Sequence, residues 1–301
     1  MEINKTAMIT VCGRPNVGKS TLTNALAGQK LAIVSAKPQT TRNRVTAVVN
    51  RERSKTQLVI MDTPGFHRPR TRLGDYMVNV VRESIPDVEL VVLVVEPIPA
   101  IGPQEQGLID SIRKSGCPAV LVINKIDTVE KQALLEVMAV YAGAFDFAAI
   151  LPVSAQRREG TEELLREMER YAVPGPAYFP EGVDTDQPDR QVCAELVREK
   201  LLRCLDREIP HGTAVEVTRF SERDDGIIDL DVTIYCEKAS HKGIIIGKNG
   251  AMLKKIGEAA RRDIERFMGT KVFLSTWVKV KENWRDSDAM LKNFGYGGAK
   301  G

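Results

Sequence analysis

Nothing in this 301-residue sequence is apolar for long enough to cross a bilayer as a helix. The most apolar run, Leu90 to Val95 (LVVLVV), falls far short of the roughly 20 residues that such a span needs. The opening MEINKTAMIT lacks a basic head followed by an apolar core, so export is not expected, and the terminal YGGAKG carries neither an apolar anchor nor a lipidation signal. Cysteine is scarce: Cys12, Cys117, Cys193, Cys204 and Cys236 are odd in number and never spaced C-x-x-C. That argues against a disulfide framework and against zinc, and favours a reducing cytoplasm. The three histidines, His67, His211 and His241, form no constellation suited to group transfer. Repeats and low-complexity segments are also missing. What is present, 43% apolar and 28% charged residues, is the composition of a globular protein with length for about two domains.

The net charge of +3 is unevenly spread. From His241 to Gly301 there are 13 Lys and Arg against 6 Asp and Glu, so the last 61 residues carry +7 and the first 240 carry −4. Up to about Tyr171, short β-branched runs (MITVC, TAVVN, QLVIM, ELVVLVV, AVLVIN, AILPVS) alternate with segments of helical period such as Gln104–Lys114, Lys131–Tyr141 and Thr161–Tyr171. This rhythm predicts an α/β domain with a mostly parallel sheet covered on both faces. Val173 to Asp189 breaks it with four prolines and two glycines, and reads as a stiff exposed linker. Beyond lies the order α-β-β-α-α-β with a final helix near Asp286–Asn293, a smaller α+β domain that begins with the amphipathic stretch RQVCAELVREKLLRCL. The expected division is 1–173, a linker at 174–189, and 190–301.

Directly after the first expected strand comes GRPNVGKST, a P-loop pattern whose glycines, Gly13 and Gly18, let main-chain N–H groups wrap phosphates at a helix N-terminus. Lys19 would reach the β/γ oxygens, and the Ser20 hydroxyl is placed for Mg2+. Arg14, Pro15, Asn16, Val17 and Thr21 complete the expected cradle. In MDTPGF, Asp62 ends a strand, Thr63 and Pro64 follow, and Gly65 offers bare backbone to a γ-phosphate. Between these motifs, PQTTRNR supplies Thr40 or Thr41 as a second hydroxyl for the metal, and loss of the γ-phosphate would release both segments. The tetrapeptide NKID follows a strand. Asp127 would accept the two donors of a guanine edge, selecting GTP over ATP, with Asn124 bracing loops, Lys125 and Ile126 beside the base, and Ala155 of Ser154–Ala155 offering its N–H to the guanine oxygen. Phe66, counted with the nucleotide-binding residues, stands where many such switches carry a water-orienting glutamine; a benzyl group makes no hydrogen bond to water, so either it packs without a role in chemistry or the water is activated otherwise.

In the basic segment, Gly247-Lys248-Asn249-Gly250 lies between an apolar run and a helix. Leu253, Ile256, Ala260, Ile264 and Phe267 recur at helical spacing as its inward face, with Lys254, Lys255, Arg261 and Arg262 towards water. A loop of this type clamps a phosphodiester backbone, Lys248 and Lys254 are expected to contact it, and Ile244 and Ile246 are expected to offer a groove for unstacked bases. The pattern resembles a type II KH domain, which holds about four nucleotides of single-stranded RNA. In KVFLSTWVKVK, Trp277, Lys279 and Lys281 alternate to one face; Trp277 is expected to pack on a neighbour rather than stack on a base.

GRPNVGKST, QTTR, DTPG and NKID, in that order, resemble the translation-factor-related small GTPases, and with the segment after Pro188 they resemble the Era family over nearly the whole chain. The resemblance implies a slow GTPase that binds GTP and GDP with Mg2+, held by Ser20 and Thr41 with Asp62 acting through water, and a potassium ion as a second candidate, with Asn16 as ligand. Asn16, Lys19, Ser20, Thr41, Asp62 and Gly65 are thus the residues expected to serve hydrolysis. It further implies a monomer that binds single-stranded small-subunit ribosomal RNA and assists small-subunit assembly, cytoplasmic, with a weak peripheral contact on the inner face of the cell membrane. GTP-dependent movement of Gln39–Arg44 and Phe66–Arg82 would alter exposure of the GKNG loop. The readings weighed against it are a membrane-surface signalling switch and a GTPase that gates RNA modification.

Overall fold

A computed structural model describes residues 2–206 and 208–296; Arg207 and 297–301, which include most of the YGGAKG terminus, lie outside the described residues. The chain divides into two units, 1–70 with 74–186, and 71–73 with 187–301.

The first unit follows the expected alternation: β1 (Lys5–Cys12), α1 (Lys19–Ala27), β2 (Val45–Arg51), β3 (Thr56–Asp62), α2 (Arg72–Glu83), β4 (Leu90–Val95), α3 (Pro103–Ser115), β5 (Ala119–Ile123), α4 (Lys131–Ala142), β6 (Ala149–Pro152), α5 (Thr161–Glu169) and β7 (Val173–Pro174). The sheet order is β2-β3-β1-β4-β5-β6, with β7 antiparallel beside β1. Only β2 and β7 run against the parallel set. Strand alternation sorts the core into two layers. Ile9, Val11, Val92 and Val94 pack with Leu22 and Leu26 of α1 and Leu164 and Met168 of α5. Val91, Leu93 and Val95 pack on the other face with Leu108 and Ile112 of α3 and Val137 and Tyr141 of α4. A strand buried on both faces cannot alternate polar with apolar, which is why LVVLVV is continuous.

The proline-rich stretch, expected as a stiff exposed linker, is hydrogen-bonded to the first unit. Asp184 accepts from the Val48 N–H at 2.8 Å, Gln57 exchanges two hydrogen bonds of 2.9 Å with the Phe179 main chain, and Thr46 donates to Asp186 at 2.9 Å. The segment thereby covers part of the exposed edge of β2, where unpaired N–H groups would otherwise invite another strand.

The second unit contains α6 (Asp189–Cys204), β8 (Ala214–Glu222), β9 (Ile228–Cys236), α7 (Ala239–Ile246), α8 (Ala251–Met268), β10 (Val272–Val280) and α9 (Asp288–Asn293). Its sheet, β10-β9-β8, pairs β9 parallel to β10 and antiparallel to β8. Ile256, Ala260 and Ile264 are the buried stripe of α8, while Leu253 and Phe267, expected with them, are half-buried at its margins. The amphipathic reading of α6 fails: Leu196 to Leu202 are buried all round the helix, including three charged residues. These survive by pairing. Arg198 donates to Glu195 at 2.8 Å, Lys200 pairs with Glu199 at 2.8 Å and with Asp263 of α8, and Arg203 reaches Glu199 at 3.0 Å. Removing one partner of such a buried set is costly. Lys200→Met is therefore expected to destabilise this unit by about 3 kcal/mol, read by urea unfolding.

Candidate nucleotide site and nucleic-acid cleft

The loop between β1 and α1 is shaped by what surrounds it. Gly13 has φ 156° and Gly18 φ 95°, and a Cβ at Gly13 would run into the Val94 carbonyl while one at Gly18 would meet the Asn124 amide nitrogen. Asn16 is left-handed at φ 68°, and its carbonyl takes the Lys125 ammonium at 2.7 Å. Lys19 is buried, donating to the carbonyls of Gly13 (3.2 Å) and Arg14 (3.0 Å), and burial lowers its pKa.

Three oxygen donors meet at the start of α1. Ser20 Oγ donates to Asp62 Oδ2 at 2.6 Å and lies 2.7 Å from Thr41 Oγ1, which is 3.5 Å from the same carboxylate. Thr40 instead turns its hydroxyl onto the Lys37 carbonyl at 2.6 Å, so of the two threonines it is Thr41 that joins the set. Asp62 Oδ1 is buried with no hydrogen-bond partner, an orphaned anionic oxygen beside two hydroxyls. A hard cation such as Mg2+ fits that donor set. Burial pushes the Asp62 pKa from 3.8 up to about 6, although Lys19, Ser20 and Thr41 pull the other way.

Gly65 lies against the P-loop and lines a cleft with it. A Cβ there would lie 2.7 Å from the Pro15 Cα, so the missing side chain lets the D-x-x-G segment close on the P-loop, and the Phe66 N–H donates to the Gly13 carbonyl at 3.0 Å. Phe66 packs against the α3-side core, its ring within 3.1 Å of where a Gly107 side chain would begin. The packing expectation for Phe66 holds. Thr63 donates to the Val11 carbonyl at 2.8 Å, and Pro64 precedes Gly65 in the same loop.

The guanine-type loop is organised by Asn124, whose side chain donates to the Val17 carbonyl at 2.8 Å and accepts the Ala155 N–H at 3.0 Å. Ser154 holds Asp127 Oδ1 at 2.6 Å, which lowers the pKa of that carboxyl. Lys125 is left-handed and Ile126 begins a single helical turn. A cleft of about 290 Å³ is lined by Pro15, Asn16, Gly18 to Thr21, Thr40, Thr41, Gly65 and Lys125, and also by Ile33 to Ala36 and Gln39. Asp127, Ser154 and Ala155 stand outside that lining, in the adjoining loops. Residues 33–36 escape sequence reading because they carry no motif and are placed only by the fold. Two acidic residues were missed for the same reason: Glu96 binds Arg14 and Lys125, each at 2.5 Å, and the buried Glu105 pairs with Arg14 at 2.9 Å. Glu96 directly follows β4, a position that could have been flagged. His67, 2.9 Å from the Gly65 carbonyl and 3.4 Å from Gln39, was likewise passed over.

In the second unit, α7 runs into Gly247, whose φ is 73° and where an added Cβ would lie 2.7 Å from the Met252 Cβ. Asn249 and Gly250 continue left-handed at φ 51° and 79°, leaving Lys248 and Asn249 exposed at the head of α8. Ile244 is half-exposed and Ile246 partly covered, whereas Ile245 is fully buried. Near the loop, α8 and β10 enclose a cleft of about 310 Å³ lined by Leu253, Lys254, Gly257, Glu258, Arg261, Phe273, Leu274 and Thr276, two cations against one carboxylate. Of these lining residues only Lys254 is among the expected RNA contacts, because strand and helix meet there only through the tertiary fold. Trp277 is 48% exposed, so neighbours cover only part of its ring. Among the described residues no helix is long and apolar enough to cross a membrane, and no cluster of His, Cys, Asp and Glu could hold a metal.

Phosphate loop, hydroxyl pair, buried aspartate and guanine-type loop define the class as a P-loop GTPase carrying a KH-type domain. Comparison with known proteins agrees: a family model described as 50S ribosome-binding GTPase matches residues 8–125 and a KH domain model matches 208–285. GTPase Era of Ruminiclostridium cellulolyticum is 51% identical over 292 residues, covering 97% of each chain, and that of Alkaliphilus metalliredigens is 46% identical over 293 residues, covering 97% and 99%. A crystal structure of Era in complex with MgGDPNP and nucleotides 1506–1542 of 16S ribosomal RNA matches with a TM-score of 0.93 at 33% identity, covering 98% of this chain and 99% of that one. An Aquifex aeolicus Era variant bound to GDP·AlF4− matches with a TM-score of 0.93 and the same identity, covering 97% and 99%. The chain belongs to the Era family of GTPases.

The raised pKa of Asp62 has a measurable sign. An unfolded Asp ionises near 3.8 and the folded one only near 6, so its ionisation subtracts stability as pH climbs through that window and costs nothing below it. Asp62→Asn is expected to raise the stability of nucleotide-free protein at pH 7.5 by about 1–3 kcal/mol, with the gain vanishing towards pH 4, in thermal melts across pH. The same variant should lose magnesium-dependent retention of nucleotide.

Proposed function

We propose that this GTPase is a switch that grips single-stranded ribosomal RNA of the small subunit and assists small-subunit assembly. The observation that carries the RNA half is the Gly247–Gly250 turn at the head of α8, with Lys248 exposed, followed directly by the α8 residues Leu253 and Lys254 that line the α8–β10 cleft. Support for the small subunit comes from the 16S fragment bound by a relative that matches over nearly the full length. The 50S in the matching model's description concerns only residues 8–125 and does not bear on the KH domain. The functional boundaries proposed are 1–173 and 190–301, with the tied segment 174–189 between them.

In this reading Ser20 and Thr41 hold Mg2+ with Asp62 acting through water, Lys19 neutralises the β/γ-phosphates, and Asp127 reads the guanine edge. The metal supplies charge stabilisation for phosphoryl transfer. Lys19 and Asp62 are buried, which shields the charges that act on phosphate from water. Phe66 orients no water, which leaves backbone groups for that task and fits a slow intrinsic rate. Asn16, exposed on the P-loop, is the proposed ligand for a potassium ion that adds charge near the bridging oxygens. The protein is proposed to act as a cytoplasmic monomer with at most weak membrane contact.

Two experiments test this. Lys248→Asp should weaken binding of the 1506–1542 fragment at least tenfold and lower its salt dependence, in filter binding over a salt series; undiminished affinity would remove the cleft assignment. GTP turnover measured in potassium and in sodium should differ for wild type and converge for Asn16→Ala, whereas indifference to both ion and substitution would retire the potassium site alone.

A further inference from the structure

Side chains of β10 alternate between the helix-covered face of its sheet and the opposite face. Val272 and Val278 are buried on the first; on the second stand Phe273 and Trp277, with 59% and 48% of their surface exposed. Lys279 continues that row, Lys271 and Lys281 extend it at either end, and all three are exposed. Two large aromatic rings about 13 Å apart on one strand are bare where a sheet face normally carries polar residues. Because β10 pairs only with β9, it is an edge strand, and Phe273 at that edge also lines the α8–β10 cleft. The bare face is therefore continuous with the cleft around a free strand edge.

The charge on this face favours a polyanion. The Arg223 guanidinium lies 5.5 Å from the Phe273 ring centroid and pairs with Asp229 at 2.5 Å, and Arg219 approaches the same carboxylate at 3.5 Å. Asp229, in register with Phe273, is thus outnumbered by guanidinium groups. Glu216, which accepts from the Tyr235 hydroxyl at 2.8 Å, and Asp231 beside Ser275 are the other acidic groups of this face, so its five cations outnumber three carboxylates. Lys271, Lys279 and Lys281 form no ion pair with a described residue.

We propose that unpaired RNA leaving the cleft crosses the β10 edge and stacks bases on Phe273 and Trp277, with Lys279 and Lys281 holding its phosphates. The inference rests on the RNA-binding reading and adds to it a second, sequence-tolerant platform, since every base has a face to stack while the cleft alone clamps about four nucleotides.

The test uses the full chain and RNA corresponding to nucleotides 1506–1542 of 16S ribosomal RNA. Trp277→Ala is expected to weaken binding about 5- to 100-fold, Trp277→Leu to match it, and Trp277→Phe to restore most of the affinity, a pattern that separates stacking from apolar packing. The chain has two tryptophans and Trp284 is wholly buried, so iodide quenching reports Trp277, and saturating RNA should protect it. Unchanged affinity for Trp277→Ala, with Lys248→Asp weakened, would overturn this inference and leave the cleft standing. No affinity in the wild type would remove both. Loss of self-association in sedimentation velocity for Trp277→Ala, with RNA affinity intact, would assign the face to a second copy of the chain and overturn it too.

Discussion

The nucleotide half of this molecule is organised around the amide of Asn124. It donates to the Val17 carbonyl at 2.8 Å, accepts from the Ala155 N–H at 3.0 Å, and through its own main chain holds the Val95 carbonyl at 2.9 Å. Three loops at the carboxyl ends of neighbouring strands are thereby locked at fixed separation. Gly18 must lack a Cβ because that amide nitrogen already occupies the space. The side chain is buried, so each of these hydrogen bonds is shielded from water, and losing one would strand a desolvated polar group. The spacing between a phosphate loop and a base-reading carboxylate is then set by a rigid bracket.

Against that frame the residues that would act on phosphate are held in unfavourable states. Lys19 and Asp62 are both buried and both shifted towards neutrality, and one Asp62 oxygen lacks a partner. Such strain is tolerated where a ligand relieves it, and a cation beside Ser20 and Thr41 would do so. The protein accepts lower stability without ligand in return for a site that need not reorganise when one binds. Glu96 ties Arg14 to Lys125, so the charges around the cleft form one network.

The second unit handles charge in the opposite way. Its interior cations, Arg198 and Lys200, are paired and spent on cohesion, while the cations at its surface frame the GKNG turn, the cleft and the open face of β10. A net positive charge counted from sequence mixes these populations, and only burial separates those available to a polyanion.

Much was legible in the residues themselves. Alternating runs of β-branched residues, the glycine spacing of the two loops and the order of the motifs follow from backbone geometry, which is local and therefore written locally; a P-loop needs its glycines wherever the chain goes next. What the chain could not reveal by itself were relations between distant segments: the choice of Thr41 over Thr40, the Glu96 and Glu105 pairing with Arg14, the buried charges of α6, the fastening of 174–186 along β2 and β3, and the exposure of Trp277. Each depends on which side chains are brought within a few ångströms across long stretches of chain, and on which are left in water. Periodicity states that a strand has two faces. Only the packed structure decides which of them is covered.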